Sequence, residues 1–184
     1  MTVTVTAGER RVDVAFEFDN TARDHRLRAH FPLPEKSTHS VADVAFGAVQ
    51  RGLVTEGGAQ ESPLPTWPFR RFVDASGDAC GLTLFTDRVL EYELSGGGSD
   101  LAVTLVRGTG FLSRSQPAMR PNPAGPVLAV RHAQSPGPHR VHLGLRLHGR
   151  EWRVGEAAAE ADRFALPLRT QTVAGPRDGD LAAS

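Results

Sequence analysis

Hydrophobic residues alternate with polar or small residues along most of this chain, and that period of two restricts the fold more than any other feature. The pattern is clear in residues 12–18 and again in residues 139–148, where valine or leucine occupies every second position from Val141 to Leu147. Because successive side chains of a strand point to opposite faces, this period predicts half-buried antiparallel strands. No strand–helix–strand rhythm indicates a parallel sheet, so the predicted fold is an all-β antiparallel sandwich.

The most regular segment is a predicted meander between residues 71 and 94. Its three strands, at 71–75, 81–86 and 89–94, are separated by the polar turn sequences Ser76-Gly77-Asp78 and Asp87-Arg88. Glycine, aspartate and serine favour such turns because they tolerate or stabilise turn backbone conformations.

One short helix is predicted near the C-terminus, at residues 151–161, where alanine and glutamate dominate and Trp152 provides an apolar anchor. Residues 164–168 are predicted to add an edge strand. The length of 184 residues favours a single domain, predicted at 1–170, followed by a flexible tail at 171–184.

Two segments depart from the strand pattern. Residues 61–68 contain three prolines, which lack the backbone donor that a central strand needs, so a surface loop is predicted there. Residues 114–138 are rich in proline and glycine, and a loop of this length inside a compact domain is usually functional or mobile.

Composition excludes several classes of partner and site. Lysine plus arginine and aspartate plus glutamate both number 21, so no net charge attracts nucleic acid or an anionic membrane. The single cysteine, Cys80, rules out an internal disulfide. No apolar run approaches the roughly 18 residues of a membrane span, and residues 1–6 do not resemble a signal peptide. A cytoplasmic parent protein is therefore expected.

Residues that often carry catalysis are given structural roles. Asp78 and Asp87 occupy predicted turns, and Glu91 and Glu93 share one strand face. Asp74, at the start of a strand, is predicted to accept hydrogen bonds from loop amides or from an arginine. No catalytic residue is predicted in this chain.

The seven histidines do not form a metal motif. His139 and His142 are three apart, which places them on opposite faces of a strand. His142 and His148 share a face but are about 20 Å apart along the strand. No metal site and no cofactor are predicted within the chain.

Several phrases of the sequence resemble the C-terminal region of glycoside hydrolase family 38, the retaining α-mannosidases. They are DHRLR at residues 24–28, HSVADV at 39–44, RRFVDAS at 70–76, GLTLFTD at 81–87 and LAVTLVRGTGFLSR at 101–114, and they occur in the family's order. The resemblance implies a large two-sheet sandwich like that of galactose mutarotase. It also implies that the nucleophilic carboxylate and a zinc or other divalent ion belong to a separate N-terminal domain.

The resemblance indicates candidate sugar-binding residues in residues 114–126, which correspond to a loop that faces the cleft in the family. Arg114 and Arg120 are the principal candidates, because a guanidinium can hold two neighbouring hydroxyls or the carboxylate of an acidic aglycone such as glycerate. Asn122 of the same loop is added to them. Trp67 and Arg70 are a second candidate platform, since aromatic faces stack on sugar rings. The alternative is that Trp67 covers the edge of the core and nearby arginines solvate it.

We therefore interpret the chain as a non-catalytic C-terminal domain of an α-mannosidase or mannosylglycerate-type hydrolase. Its expected partners are the N-terminal catalytic and helical domains of the parent chain and a mannose-containing glycan or mannoside; self-association is left open. The alternatives are a free-standing carbohydrate-binding module and a structural or oligomerisation domain. Retention of the isolated chain on a glycan column distinguishes the binding module from the other two.

Overall fold

A computed structural model of the chain describes residues 1–55, 57–114 and 120–166. In these residues eleven strands are followed by one α-helix, with a short 3-10 helix at Arg131–Gln134. The strands are β1 (Thr2–Val5), β2 (Val12–Asn20), β3 (Arg26–Pro32), β4 (His39–Val44), β5 (Gly47–Gly52), β6 (Thr66–Phe69), β7 (Phe72–Ser76), β8 (Cys80–Thr86), β9 (Leu90–Ser95), β10 (Asp100–Arg107) and β11 (Gly137–Gly149), and the helix is α1 (Val154–Ala165).

The strands form two sheets, and every pairing is antiparallel. The large sheet has the order β1-β2-β11-β8-β7-β4-β5, and the small sheet has the order β3-β10-β9-β6. The predicted antiparallel sandwich with one short C-terminal helix is therefore confirmed. The three strands of the predicted meander match β7, β8 and β9 to within one residue at each end.

The main core lies between the two sheets, with apolar side chains from both. The small sheet contributes Phe69, Tyr92, Leu101 and Val103, and the large sheet contributes Val73, Leu84 and Leu143, all fully buried. Burying a side chain of this size stabilises the fold by roughly 1.5–3 kcal/mol relative to exposure. The hydroxyl of Tyr92 lies 2.8 Å from that of Ser40 across the sandwich, so its polar atom is not left unpaired in the core.

Helix α1 forms a third layer on the outer face of the large sheet. Its small residues Ala157 and Ala161 pack against Phe72 and Phe85, and this close approach creates a second buried apolar cluster. Phe164 continues that cluster, with its ring centre 6.4 Å from that of Phe85.

Three local predictions need correction. The helix extends to Ala165 and Leu166 follows it outside any strand, so the edge strand predicted at 164–168 is wrong for its first three residues. The contacts of Phe164 favour the helix. Residues 167–168 and the tail predicted at 171–184 lie outside the described part. Residues 66–68 belong to strand β6. Pro68 is tolerated there because β6 is the outermost strand of its sheet and pairs only with β9. The predicted long loop is interrupted by the 3-10 helix.

No helix of the described residues is long and apolar enough to cross a membrane.

Candidate functional site

The chain that leaves β10 turns back on itself and presents a cluster of arginines. The two arms of this turn are joined by backbone hydrogen bonds of 2.9 Å from Leu112 N–H to the Leu128 carbonyl and from Val130 N–H to the Gly110 carbonyl. Thr109 N–H donates a third bond of the same length to the Ala133 carbonyl. This pairing fixes the backbone that leads from Arg107 to Arg114.

Two adjoining clefts, of about 290 and 380 Å³, lie beside this turn. They share Leu64, Thr109, Arg107 and Arg114, and the larger one is also lined by Phe111, Glu61 and Arg120. We call this feature the arginine groove and define it by Arg107, Arg114 and Arg120 with Leu64 and Phe111. It combines guanidinium groups with apolar side chains.

The contacts of the three groove arginines lie at the surface of the protein. The guanidinium of Arg107 lies 3.0 Å from a carboxylate oxygen of Glu91, yet its side chain is 57% exposed. Arg120 pairs with Glu61, whose side chain is half exposed. The guanidinium of Arg114 lies over the Phe111 ring, 5.9 Å from its centre, and makes no ion pair among the described residues. Exposed pairs of this kind contribute little to stability, so a ligand can replace them at low cost.

The structure separates the candidate binding residues into two groups. Arg114 and Arg120 lie in the groove, whereas Trp67 and Arg70 are not among its lining residues. Trp67 is partly buried against the core, and the Arg51 guanidinium lies 5.0 Å from its ring centre. Arg70 is exposed and donates its backbone N–H to the Asp43 carbonyl. The sugar-binding roles of these residues stay predictions.

Asn122 is exposed and does not line the groove, so its sugar-binding role also stays a prediction. Sequence reasoning missed Arg107, Leu64 and Phe111. Arg107 and Phe111 lie within the phrase at 101–114 that resembles family 38, but only Arg114 of that phrase is among the predicted binding residues. Leu64 lies between prolines, in a segment predicted as surface loop.

Comparison with known proteins decides the family. The model of the family "Glycosyl hydrolases family 38 C-terminal domain" matches residues 1–117. The chain belongs to this family.

Three relatives place the family 38 domain in larger proteins. A curated protein of Halalkalibacterium halodurans, described as "Putative mannosylglycerate hydrolase", is 32% identical over 117 residues, which are 60% of this chain and 12% of that protein. A crystal structure of a family 38 glycosyl hydrolase from Enterococcus faecalis is 26% identical with a TM-score of 0.69, over 90% of this chain and 18% of that chain. An α-mannosidase from Enterococcus faecalis V583 shares the fold, with 24% identity and a TM-score of 0.70 over 90% of this chain and 17% of that one. The family 38 domain therefore spans less than a fifth of these relatives.

Away from the groove, the domain contains a buried polar network between the large sheet and α1. The Asp74 carboxylate accepts hydrogen bonds from the hydroxyls of Ser76 and Thr83 and from Nε2 of His148, at 2.5, 2.7 and 2.7 Å. The indole N–H of Trp152 donates to the Thr83 hydroxyl at 2.8 Å. The structural role predicted for Asp74 therefore involves neither loop amides nor an arginine. Among the described residues, its donors are side chains of β7, β8 and β11, and the segment before α1 joins the network through Thr83.

The surroundings of His148 act on its pKa in opposite directions. Burial lowers the pKa of His148, but hydrogen bonds with the Asp74 carboxylate and the Gly149 carbonyl outweigh this effect and raise the pKa above its ordinary value. Both ring nitrogens face acceptor oxygens, at 2.7 Å for Asp74 and 3.0 Å for Gly149, which suits the doubly protonated ring.

Other carboxylates of the domain also have structural partners. The buried carboxylate of Asp43 accepts two hydrogen bonds from the Arg71 guanidinium, at 2.8 and 2.9 Å. On the outer face of the small sheet, Glu91 and Glu93 pair with the arginines Arg26, Arg28 and Arg107.

In residues 1–55, 57–114 and 120–166, no three histidine, cysteine, aspartate or glutamate side chains are grouped to hold a metal ion. The described residues therefore do not provide the set of ligands that a zinc ion needs. The family resemblance implies that this ion belongs to a separate domain.

Proposed function

We propose that this domain is the non-catalytic C-terminal sandwich of a retaining family 38 α-mannosidase, and that its arginine groove forms one wall of the substrate cleft in the full-length enzyme. The observation that carries the proposal is the groove itself, in which Arg107, Arg114 and Arg120 line the same cleft as Leu64 and Phe111. The strongly bonded carboxylates of the domain support a non-catalytic role. A retaining glycosidase needs two carboxyl groups about 5 Å apart, one as nucleophile and one as acid/base, whereas Asp43, Asp74, Glu91 and Glu93 are held by structural partners.

An apolar surface next to the groove supports docking on the rest of the parent chain. Leu112, Val127 and Leu128 are more than half exposed, at 62%, 55% and 54%, and Phe111 is 39% exposed. We call these four residues the apolar rim. Leu112 and Leu128 are joined by a backbone hydrogen bond, so the rim unites both arms of the turn. Clustered exposed apolar residues often mark interaction surfaces, and the relatives are long enough to supply the covering domain.

The chemistry of the groove favours a substrate with a carboxylate in its aglycone. A planar guanidinium binds a carboxylate through two parallel hydrogen bonds, which a lysine cannot do. The name of the curated relative, mannosylglycerate hydrolase, describes a mannoside of such an acid. Sugar hydroxyls are the second group that the same fork can hold.

The test is to replace Arg114 and Arg120 singly by alanine in the full-length enzyme and to measure kcat/KM with a mannoside of an acidic aglycone. Each variant should lower kcat/KM at least about tenfold, which corresponds to roughly 1.4 kcal/mol of lost transition-state binding. Arg140→Ala is the matched control, because Arg140 is 74% exposed on the large sheet and does not line the groove.

Wild-type kinetics in both groove variants, with folding intact, would remove the groove from the substrate cleft. An equal loss in the Arg140→Ala control would also contradict the proposal, because it would show that removing any surface arginine has the same effect.

A further inference from the structure

Asp24 and Gln134 hold together three segments that meet beside the arginine groove. The backbone N–H of Asp24 donates to the side-chain oxygen of Gln134 at 2.8 Å, and the side-chain N–H of Gln134 donates back to Asp24 Oδ1 at 3.1 Å. The same Oδ1 accepts the backbone N–H of Gly110 at 2.6 Å. One carboxylate oxygen therefore connects the β2–β3 connection, the start of the arginine-bearing turn and the 3-10 helix. We call this arrangement the Asp24 clasp.

The clasp has an uncommon backbone. Asp24 and Ser135 have φ angles of 50° and 48°, and no other non-glycine residue in the described part of the chain has a positive φ. Asn20 stabilises the second of these residues by donating from its side-chain amide to the carbonyls of Gln134 and Ser135, at 3.1 and 2.7 Å. Strained backbone of this kind persists where surrounding contacts enforce it, and it clusters near functional sites.

Two glycines after Arg107, Gly108 and Gly110, pack closely against the residues of the clasp. A Cβ atom on Gly110 would lie 2.9 Å from Asp24 Oδ1, and one on Gly108 would lie 3.0 Å from the Gln134 side-chain oxygen. Both distances are shorter than ordinary contacts, so these positions favour glycine. The clasp therefore determines the backbone between Arg107 and Arg114 at close range.

The clasp also adjoins the groove directly. Asp24 lines the smaller cleft together with Arg107 and Arg114. Hydrogen bonds from the Gln134 side chain and the Gly110 amide lower the pKa of Asp24 below its ordinary value. The carboxylate stays ionised at neutral pH and keeps its acceptor role.

We propose that Asp24 is a positioning residue of the arginine groove, which acts by holding Gly110 so that Arg107 and Arg114 face the same ligand. This inference rests on the proposed function of the groove. Asp24 is not itself required to touch the ligand, because its carboxylate oxygen Oδ1 is engaged by Gly110 and Gln134.

The experiment is a double-mutant cycle in the full-length enzyme, with kcat/KM for a mannoside of an acidic aglycone as the readout. Asp24→Gly removes the carboxylate while a glycine accepts the positive φ without strain. It should lower kcat/KM by about fivefold to tenfold in the wild-type background but by less than about twofold when Arg114→Ala is already present, because residues that act through one another are not additive. Asp24→Asn keeps an Oδ1 acceptor and tolerates the same φ, so it should remain within about twofold of wild type.

The results separate the two proposals. If Arg114→Ala and Arg120→Ala both have wild-type kinetics, the groove has no role and the clasp inference fails with it. If only Arg114→Ala is without effect, the clasp inference is overturned and the groove proposal stands on Arg120. If Arg114→Ala is impaired but Asp24→Gly is as active as wild type, or multiplies the loss in the Arg114→Ala background, only the clasp inference is overturned. If Asp24→Gly does not fold, Gln134→Met replaces it in the same cycle. Methionine has a similar shape to glutamine but lacks the amide, so it removes the hydrogen bonds to Asp24 while still filling this buried position. It should give the same non-additive loss.

Discussion

The two charged regions of this domain, the network under helix α1 and the arginine groove, use similar groups in opposite ways. Under the helix, the side chains of Asp74 and His148 are only 3% and 6% exposed, and both are hydrogen bonded. In the groove, Arg107 and Arg114 are exposed and their contacts are few. Because buried charges must be paired to be tolerated, the first region contributes to folding, while the second leaves its charges accessible to a ligand.

The hydrogen bonds of the buried network also differ from those of a catalytic triad. Asp74, Thr83 and His148 have the side chains of a catalytic triad, but Thr83 bonds Asp74 and not His148. A nucleophile needs a hydrogen bond to its base. The arrangement is therefore a support for the helix layer.

The largest effect that tests the comparison is expected from Asp74→Ala. The substitution leaves a buried His148 without its carboxylate and removes the acceptor of two hydroxyls, so it should lower the free energy of unfolding by about 3–5 kcal/mol. Urea denaturation of the purified chain measures this change. Asp78→Ala in the exposed β7–β8 turn is the control, and a similar loss there would show that the network has no special role.

A smaller effect is expected when pH is varied. Because the pKa of His148 is raised in the folded state, its contribution is complete below the unfolded value of about 6.5 and is lost as pH rises through the folded value. The free energy of unfolding should fall in that window by up to about 1.4 kcal/mol per pH unit. The charged groups near the ring are Asp74, which stabilises its charged form, and Arg146, which opposes it.

Urea denaturation at a series of pH values measures this dependence in wild type and in His148→Gln. The variant should lose the slope, whereas His132→Gln, which changes an exposed histidine, should keep it. Identical slopes in wild type and His148→Gln would contradict a raised pKa at this residue.

The smallest effect on stability is expected in the groove. Arg114→Ala removes an exposed side chain whose contact is the face of Phe111, so the free energy of unfolding should change by less than about 0.5 kcal/mol. The same denaturation assay measures it. A loss above about 2 kcal/mol would mean that Arg114 is a structural residue and would remove the contrast between the two regions.

The sequence predicts the sandwich well because alternation depends on local chemistry, and strands such as β2 and β11 carry it clearly. It does not predict contacts between distant segments. Asp24 and Gln134 are 110 residues apart, and Asp74 and His148 are 74 residues apart. No local pattern indicates that these residues meet. Pro68 misleads for a different reason, because its cost in a strand depends on whether the strand is at an edge.

The central claim is that this domain contains no reacting groups for glycoside hydrolysis and contributes a groove to another domain's site. The most direct measurement is the release of nitrophenol from an aryl α-mannoside by the 184-residue chain alone, with and without added zinc. We expect no release above the rate without protein. A release rate that persists through extensive repurification and scales with the amount of chain would contradict it.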